Sequence, residues 1–464
     1  MKNPFTLILY FLSLVLFSCG KGQKPMETSK KPNDSLVLMT LDPGHFHASL
    51  IQKEMYPQVS PRVYVYAPDG PELSEHLNRI SSYNTRSKNP TQWKEVVYTG
   101  KDYLEKMLKD KPGNVVVISG NNAKKTEYIL KSVEAGIHVL ADKPMVIFPE
   151  DFAALQDAFD QAKKNKVILY DIMTERFEIT NLLQKELAAI PEVFGQLQKG
   201  SPDNPAIINE SVHHFYKNVS GSPLIRPAWF FDISQQGEGL VDVTTHLVDL
   251  NQWECFPGKI IDYKKDVEMI SASRWTTDLT LGEFSKVTGL DSYPDYLRKY
   301  VAGNLLKVYS NGEILYKIFG TCARVSVVWR YQEPETTEDT HFSIIRGSLA
   351  SLLIRQGKEE NYQPVLYVES TRPGKAFESA LTNAVNKTLA GKYPGISLAK
   401  IKEGKWKVVI PGSYKVGHEA HFAQVAQNFL HYIQHGDMPD WEVPNTIAKY
   451  FITTEALRIA KSAK

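Results

Sequence analysis

Between Ser35 and about Asp171, short β-branched apolar runs alternate with stretches whose apolar residues recur every three or four positions. The runs predict strands at 36–41, 62–66, 96–98, 115–119, 137–141 and 167–171. Between the later runs, 124–135 closes on Gly136 as a helix C-cap, and 151–164 sets Phe152, Leu155, Phe159 and Ala162 on one helical face. Such alternation predicts a Rossmann-like, doubly wound parallel sheet.

Beyond Glu178 the rhythm changes. A helix near 181–189 and a loop-rich stretch to Asp232 precede a helical pattern over 241–254. Strand-like segments follow at 305–309, 314–319, 324–331, 341–345 and 349–354, with Asn311-Gly312 as a hairpin signal. Two amphipathic helices close the chain, the first carrying Phe422, Val425, Ala426, Phe429, Leu430 and Ile433 before Gly436. The expected class is α/β: a Rossmann-like domain over 35–175, then an α+β domain over 176–464 with a large, mostly antiparallel open sheet and C-terminal helices.

The first residues read differently. Lys2 precedes an apolar run from Phe5 to Phe17, too short to span a bilayer and suited to a signal peptide over 1–18. The run ends at Leu16-Phe17-Ser18-Cys19-Gly20, which resembles a bacterial lipobox with Cys19 as the lipidated residue; 19–34 then reads as a flexible tether. The expectation is a lipid-anchored globule in the bacterial cell envelope, outside the cytoplasm.

Composition narrows the function without choosing it. Fifty-four Lys and Arg against 52 Asp and Glu leave a net charge of +2, so no bulk field draws the chain to nucleic acid. The three cysteines, Cys19, Cys255 and Cys322, lack paired-ligand spacing for zinc, and no metal centre is expected. Function must lie in a local site.

Two segments could carry chemistry. In Ala135-Gly-Ile-His-Val-Leu-Ala-Asp-Lys-Pro144, Pro144 biases Lys143 to an extended backbone, so its ammonium leaves the carboxyl end of a parallel strand, where doubly wound folds bind ligands. In Gly237-Glu-Gly-Leu-Val-Asp-Val-Thr-Thr-His-Leu-Val-Asp-Leu-Asn-Gln-Trp253, a helix would put Asp242, His246 and Asp249 on one face, with a carboxylate able to bias the imidazole. The aromatic stretches His213-His-Phe-Tyr216 and Trp229-Phe-Phe231 could stack on sugar rings, though such runs are more often core.

Together, in this order, the two segments resemble the Gfo/Idh/MocA family of oxidoreductases. The resemblance runs from Leu36 to about Asp249, and Gly417-His-Glu-Ala-His-Phe422 looks like the family's C-terminal segment. It implies that Asp142-Lys143-Pro144 stands for the family's Glu-Lys-Pro element, with Lys143 touching cofactor and substrate. It implies that Asp242 and His246 stand for the family's catalytic Asp and His. Asn121 and Asn122 fall where a loop approaches the cofactor, and Arg176 and Asp249 are the implied substrate contacts.

The phosphate loop departs from the pattern. In place of G-x-G-x-x-G the chain has Leu41-Asp42-Pro43-Gly44-His45-Phe46-His47, so Pro43, Gly44, His45 and Phe46 would face the dinucleotide with a single glycine. Asp42 and Pro43 read as an N-cap and first helical residue, which would fill the amides that normally receive pyrophosphate. Asp69 is the remaining candidate for the ribose. The implied activity is oxidation of a sugar or glycoside hydroxyl with tightly bound NAD or NADP, in a redox-neutral cycle suited to export. The alternatives are an NAD-dependent glycosidase of the oxidation–elimination type and a catalytically inactive carbohydrate-binding lipoprotein. The open sheet is a candidate face for a homo-oligomer.

Overall fold

The computed structural model describes residues 35–219, 222–332 and 339–463. The signal peptide, Cys19 and the tether lie outside the described residues. Residues 36–464 form one compact unit.

Six strands, β1 (Leu38–Leu41), β2 (Arg62–Tyr66), β3 (Lys94–Tyr98), β4 (Val115–Ile118), β5 (His138–Ala141) and β6 (Leu169–Asp171), form a sheet in the order β3-β2-β1-β4-β5-β6. Every pairing is parallel. β1 and β4 are buried along their whole length, which is why they read as continuous apolar runs rather than alternating ones. The strand order reverses between β1 and β4, and at that switch point open α/β sheets bind ligands beyond their carboxyl ends.

The second sheet runs 267–280, 305–318, 321–330, 207–214, 340–346, 350–355, 365–370, 405–409, 397–402. All its pairings are antiparallel except that of 207–214 with 321–330. Strand Ile207–His214 sits inside a stretch that reads from sequence as loop; its alternation is broken by Asn209 and Ser211, polar residues buried for their hydrogen bonds. The expected boundary at 175/176 falls inside the short helix Thr174–Phe177. The last two helices return to the first sheet. Phe422, Val425, Ala426, Phe429 and Leu430 of His418–His435 pack with Leu36, Val63 and Val115. Helix Glu442–Ser462 serves both sheets, with Tyr450 in the core of the first and Ile452, Ala456 and Leu457 in that of the second.

Asn311-Gly312 is not a turn. Both residues lie within one continuous strand, Leu305–Ile318, where the pairing to 267–280 shifts register. Asn311 supplies the bonds a bulge leaves open: its Oδ1 accepts from the Trp329 N–H at 2.6 Å, and its Nδ2 donates to Thr277 Oγ1 at 2.9 Å and the Trp275 carbonyl at 3.2 Å. Gly312 leaves room for Leu240, whose Cδ2 would lie 2.4 Å from an added Cβ. The hairpin turn comes later, at Phe319-Gly320, where both φ angles are positive (49° and 72°), as a two-residue turn of the primed type requires. We expect Gly312→Ala to lower stability by about 1–3 kcal/mol through overpacking. In urea unfolding, the double variant with Leu240→Ala should lose less than the sum of the two single losses.

Candidate active site

Lys143 follows the end of β5, and the turn before helix Thr244–Cys255 brings Asp242 to it from the other half of the chain. Lys143 Nζ donates to Asp242 Oδ1 at 2.6 Å, and Gln236 Nε2 donates to Oδ2 at 3.2 Å. Burial pulls the lysine's pKa down, but the Asp242 and Asp142 carboxylates outweigh it and raise the ammonium's pKa. Asp242 is correspondingly held below its ordinary value, because Lys143 outweighs the cost of burial. Both groups are therefore charged at neutral pH.

His246 lies in the first turn of that helix. The expected Asp242–His246 partnership does not form, because Asp242 precedes the helix and its carboxylate is taken by Lys143 and Gln236. Burial, followed by the Lys143 charge, pushes His246 down to about 4, so the imidazole is neutral through the physiological range. Its Nδ1 is buried and has no hydrogen-bond partner among the described residues. Glu175 adds a carboxylate that sequence reasoning missed. It lies 3.3 Å from His418 Nδ1, and it acts electrostatically on His246, His421 and His341. No motif announced it; the only signal was the unusual density of histidines in 417–422.

His213 was also missed as a site residue. Its Nδ1 meets Asp339 Oδ2 at 2.9 Å, and its Nε2 meets Ser211 Oγ at 2.6 Å. Phe215, Phe230 and Phe231 take the core role, packed with Trp329. Trp229 instead covers the phosphate loop, with its indole 3.3 Å from the position a Gly44 Cβ would take.

That loop is arranged unlike the expected cap. Asp42 has a left-handed φ of 48°, and its carboxylate accepts from Tyr128 at 2.8 Å and Tyr103 at 3.4 Å rather than from helix amides. The helix begins only at His47 and runs to Ile51, with buried Pro43 outside it and Phe46 at the cap without a side-chain bond. Gly44 N–H donates to the Asp42 carbonyl and His45 N–H to the Ser119 carbonyl. An added Cβ on Gly120 would lie 2.2 Å from the Asp42 carbonyl oxygen, so the loops after β1 and β4 are packed backbone to backbone. Asn121 caps helix Asn122–Glu134 and donates to Gln235, while Asn122 donates to the Gln236 carbonyl. Both asparagines thus dock the 235–237 segment. Asp69 is exposed beyond the end of β2.

Arg176 and Asp249 are committed to each other. The guanidinium grips Asp249 bidentately at 2.6 and 2.7 Å and Glu442 at 2.8 and 3.0 Å. Lys449, fully buried, bridges Asp249 at 3.0 Å and Asp171 at 2.9 Å, and Tyr450 donates to Asp171. This buried ion cluster pins the last helix to both halves, so these two residues act on the scaffold and not on the space beside Lys143.

A lysine from the strand ends of a Rossmann sheet, facing an aspartate and a neutral histidine from an antiparallel-sheet half, defines a two-part oxidoreductase of the dinucleotide-fold class. The family profile described as "Oxidoreductase family, NAD-binding Rossmann fold" matches residues 70–171, and that described as "Putative oxidoreductase C terminal domain" matches 183–461. A crystal structure of a "putative oxidoreductase" from Parabacteroides merdae is 57% identical, covering 92% of this chain and 98% of that one with a TM-score of 0.90. The chain belongs to the Gfo/Idh/MocA family of oxidoreductases. The same fold, at 15% identity, occurs in levoglucosan dehydrogenase solved with NADH and levoglucosan (TM-score 0.58; 92% of this chain, 97% of that one). It occurs at 14% identity in GenD2 from gentamicin A biosynthesis with NAD (0.55; 96% and 98%). No curated protein matches. The NAD-binding match begins at residue 70, past the altered phosphate loop.

Lys449→Met should cost about 3–5 kcal/mol in urea unfolding at neutral pH, because Asp171 and Asp249 would keep their buried charges without it. Arg176 and Lys449 outweigh burial and hold Asp249 below the usual carboxylate range. Its contribution is therefore complete above the unfolded value of about 3.9 and is lost as pH falls below it. Glu442, pushed up by burial, offsets part of that loss. The melting temperature should fall below about pH 4, with a smaller fall in Asp249→Asn.

Proposed function

We propose that this protein oxidises a hydroxyl of a sugar or glycoside, with NAD or NADP held tightly in the site, and that Lys143, Asp242 and His246 carry the chemistry. The Lys143–Asp242 ion pair joining the two halves is the observation that carries this reading. At the nicotinamide end, Lys143, charged and beyond the strand ends, is the residue that would hold the group. The phosphate loop does not fit the family's way of holding pyrophosphate, because its Gly44 and His45 amides are spent on the Asp42 and Ser119 carbonyls and the Asp42 carboxylate stands beside them. The cofactor, when bound, supplies the hydride acceptor.

The chain's own residues manage the proton. The neutral His246 ring offers an unprotonated nitrogen to the substrate hydroxyl, and the Lys143 ammonium stabilises the oxyanion left as that proton departs. Asp242 keeps the ammonium charged and fixed in place. A redox-neutral reaction with no net consumption of cofactor would suit an exported enzyme, and the lipobox-like run ending at Cys19 supports attachment to the cell envelope. The spent phosphate loop favours one other reading, a carbohydrate-binding lipoprotein without dinucleotide.

Denaturing the purified chain and assaying the supernatant for NAD(H) and NADP(H) separates the two. Near-stoichiometric dinucleotide supports the enzyme; none, with no thermal stabilisation by added cofactor, leaves the binding protein. Lys143→Ala and His246→Ala should each lower turnover by about 10²-fold or more while leaving the fold intact. Because His246 sits at about 4, kcat/KM should rise through pH 4 and show no histidine limb between pH 5 and 8.

A further inference from the structure

The turn after β1 carries two metal-ligating side chains and faces a third from the end of β5. His45 and His47 lie on either side of Phe46 after β1, and Asp142 follows β5. Asp142 Oδ2 is 3.3 Å from His45 Nδ1 and 3.0 Å from His47 Nδ1, and Oδ1 is 3.2 Å from His47 Nδ1. The two imidazoles stand nearly perpendicular, 74° apart with centroids at 4.0 Å, so their Nδ1 atoms converge on one carboxylate.

The carboxylate is 3% exposed, yet among the described residues no lysine or arginine pairs with it. Lys143, next in sequence, is spent on Asp242. Lys125 reaches Asn122 Oδ1 and the backbone carbonyls of Asp142 and Lys143, not the Asp142 side chain. The remaining contact is the Ser119 hydroxyl, at 2.9 Å. The Lys125 and Lys143 ammoniums act on this carboxylate without touching it, and a buried carboxylate with no cation in direct contact is a ready ligand for a metal ion.

The spacings suit such a cation. Tetrahedral zinc bonds of about 2.0–2.1 Å set neighbouring donor atoms roughly 3.3 Å apart, and the one oxygen Asp142 Oδ2 lies 3.3 Å from His45 Nδ1 and 3.0 Å from His47 Nδ1, close to that edge. We propose that His45, His47 and Asp142 bind a zinc-class divalent transition metal through two imidazole nitrogens and one carboxylate oxygen, leaving a fourth position for water or a substrate oxygen. Two imidazoles and a carboxylate select this class over magnesium or calcium, which prefer all-oxygen shells. His45, 22% exposed at its side chain, lines the access route. The proposal does not depend on dinucleotide binding.

The test uses the purified full chain stripped with a chelator and titrated with Co²⁺. The expected result is one Co²⁺ per chain with the intense visible absorption of a tetrahedral ion, displaced by added Zn²⁺. His45→Gln and His47→Ala should each weaken binding tenfold or more with unchanged circular dichroism. His435→Ala, which removes the exposed His431–His435 pair, should leave binding intact. Failure of wild type to take up stoichiometric metal, or equal uptake by folded His45→Gln, would overturn the proposal and leave a hydrogen-bonded triad alone.

Discussion

A buried ammonium needs a carboxylate, and here the carboxylate comes from the other half of the chain. Lys143 leaves the end of β5 and finds Asp242 at 2.6 Å, so the nucleotide-fold half and the antiparallel-sheet half meet in one ion pair. Removing either partner would strand the other charge in a low-dielectric setting, a cost of several kcal/mol. The placement of the rest follows. The turn carrying Asp242 must reach the first sheet, the docked 235–237 segment lies over the β4 loop, and His246 is left beside the ammonium with its pKa depressed.

A second ion cluster holds this geometry without taking part in it. Arg176, Asp249, Glu442, Lys449 and Asp171 join the end of the first sheet, the His246 helix and the last helix in one buried network. Asp249 thus shares a helix with His246 but not its task. Electrostatics separates the roles: one network includes a lone imidazole nitrogen, whereas in the other every cation meets two carboxylates.

Much of the architecture was legible because it rests on local pattern. The six strands of the first sheet, in order, and helices such as Phe152–Asn165 show in apolar spacing and glycine caps. Lys143, Asp242 and His246 were legible because two motifs carried them, and the structure brings them together. What stayed hidden depends on tertiary contact. Asn311-Gly312 carries a turn's letters but serves a bulge, since only the packed sheet shows Trp329 and Leu240 beside it. Asp42 looked like a cap until two tyrosines from distant helices claimed its carboxylate. Glu175, His213 and the pairing of His45 and His47 with Asp142 unite residues far apart in sequence, and no spacing rule reveals them.

The most direct trial of the account is optical. Glycosides and free sugars would be added in turn to the protein reconstituted with oxidised NAD, while the near-ultraviolet band of reduced nicotinamide is followed in wild type and in Lys143→Met. Some sugar should reduce the bound cofactor in the wild type, whereas the lysine variant, folded and binding the same sugar, should not respond. A Lys143→Met protein that reduces the cofactor at the wild-type rate would contradict the account.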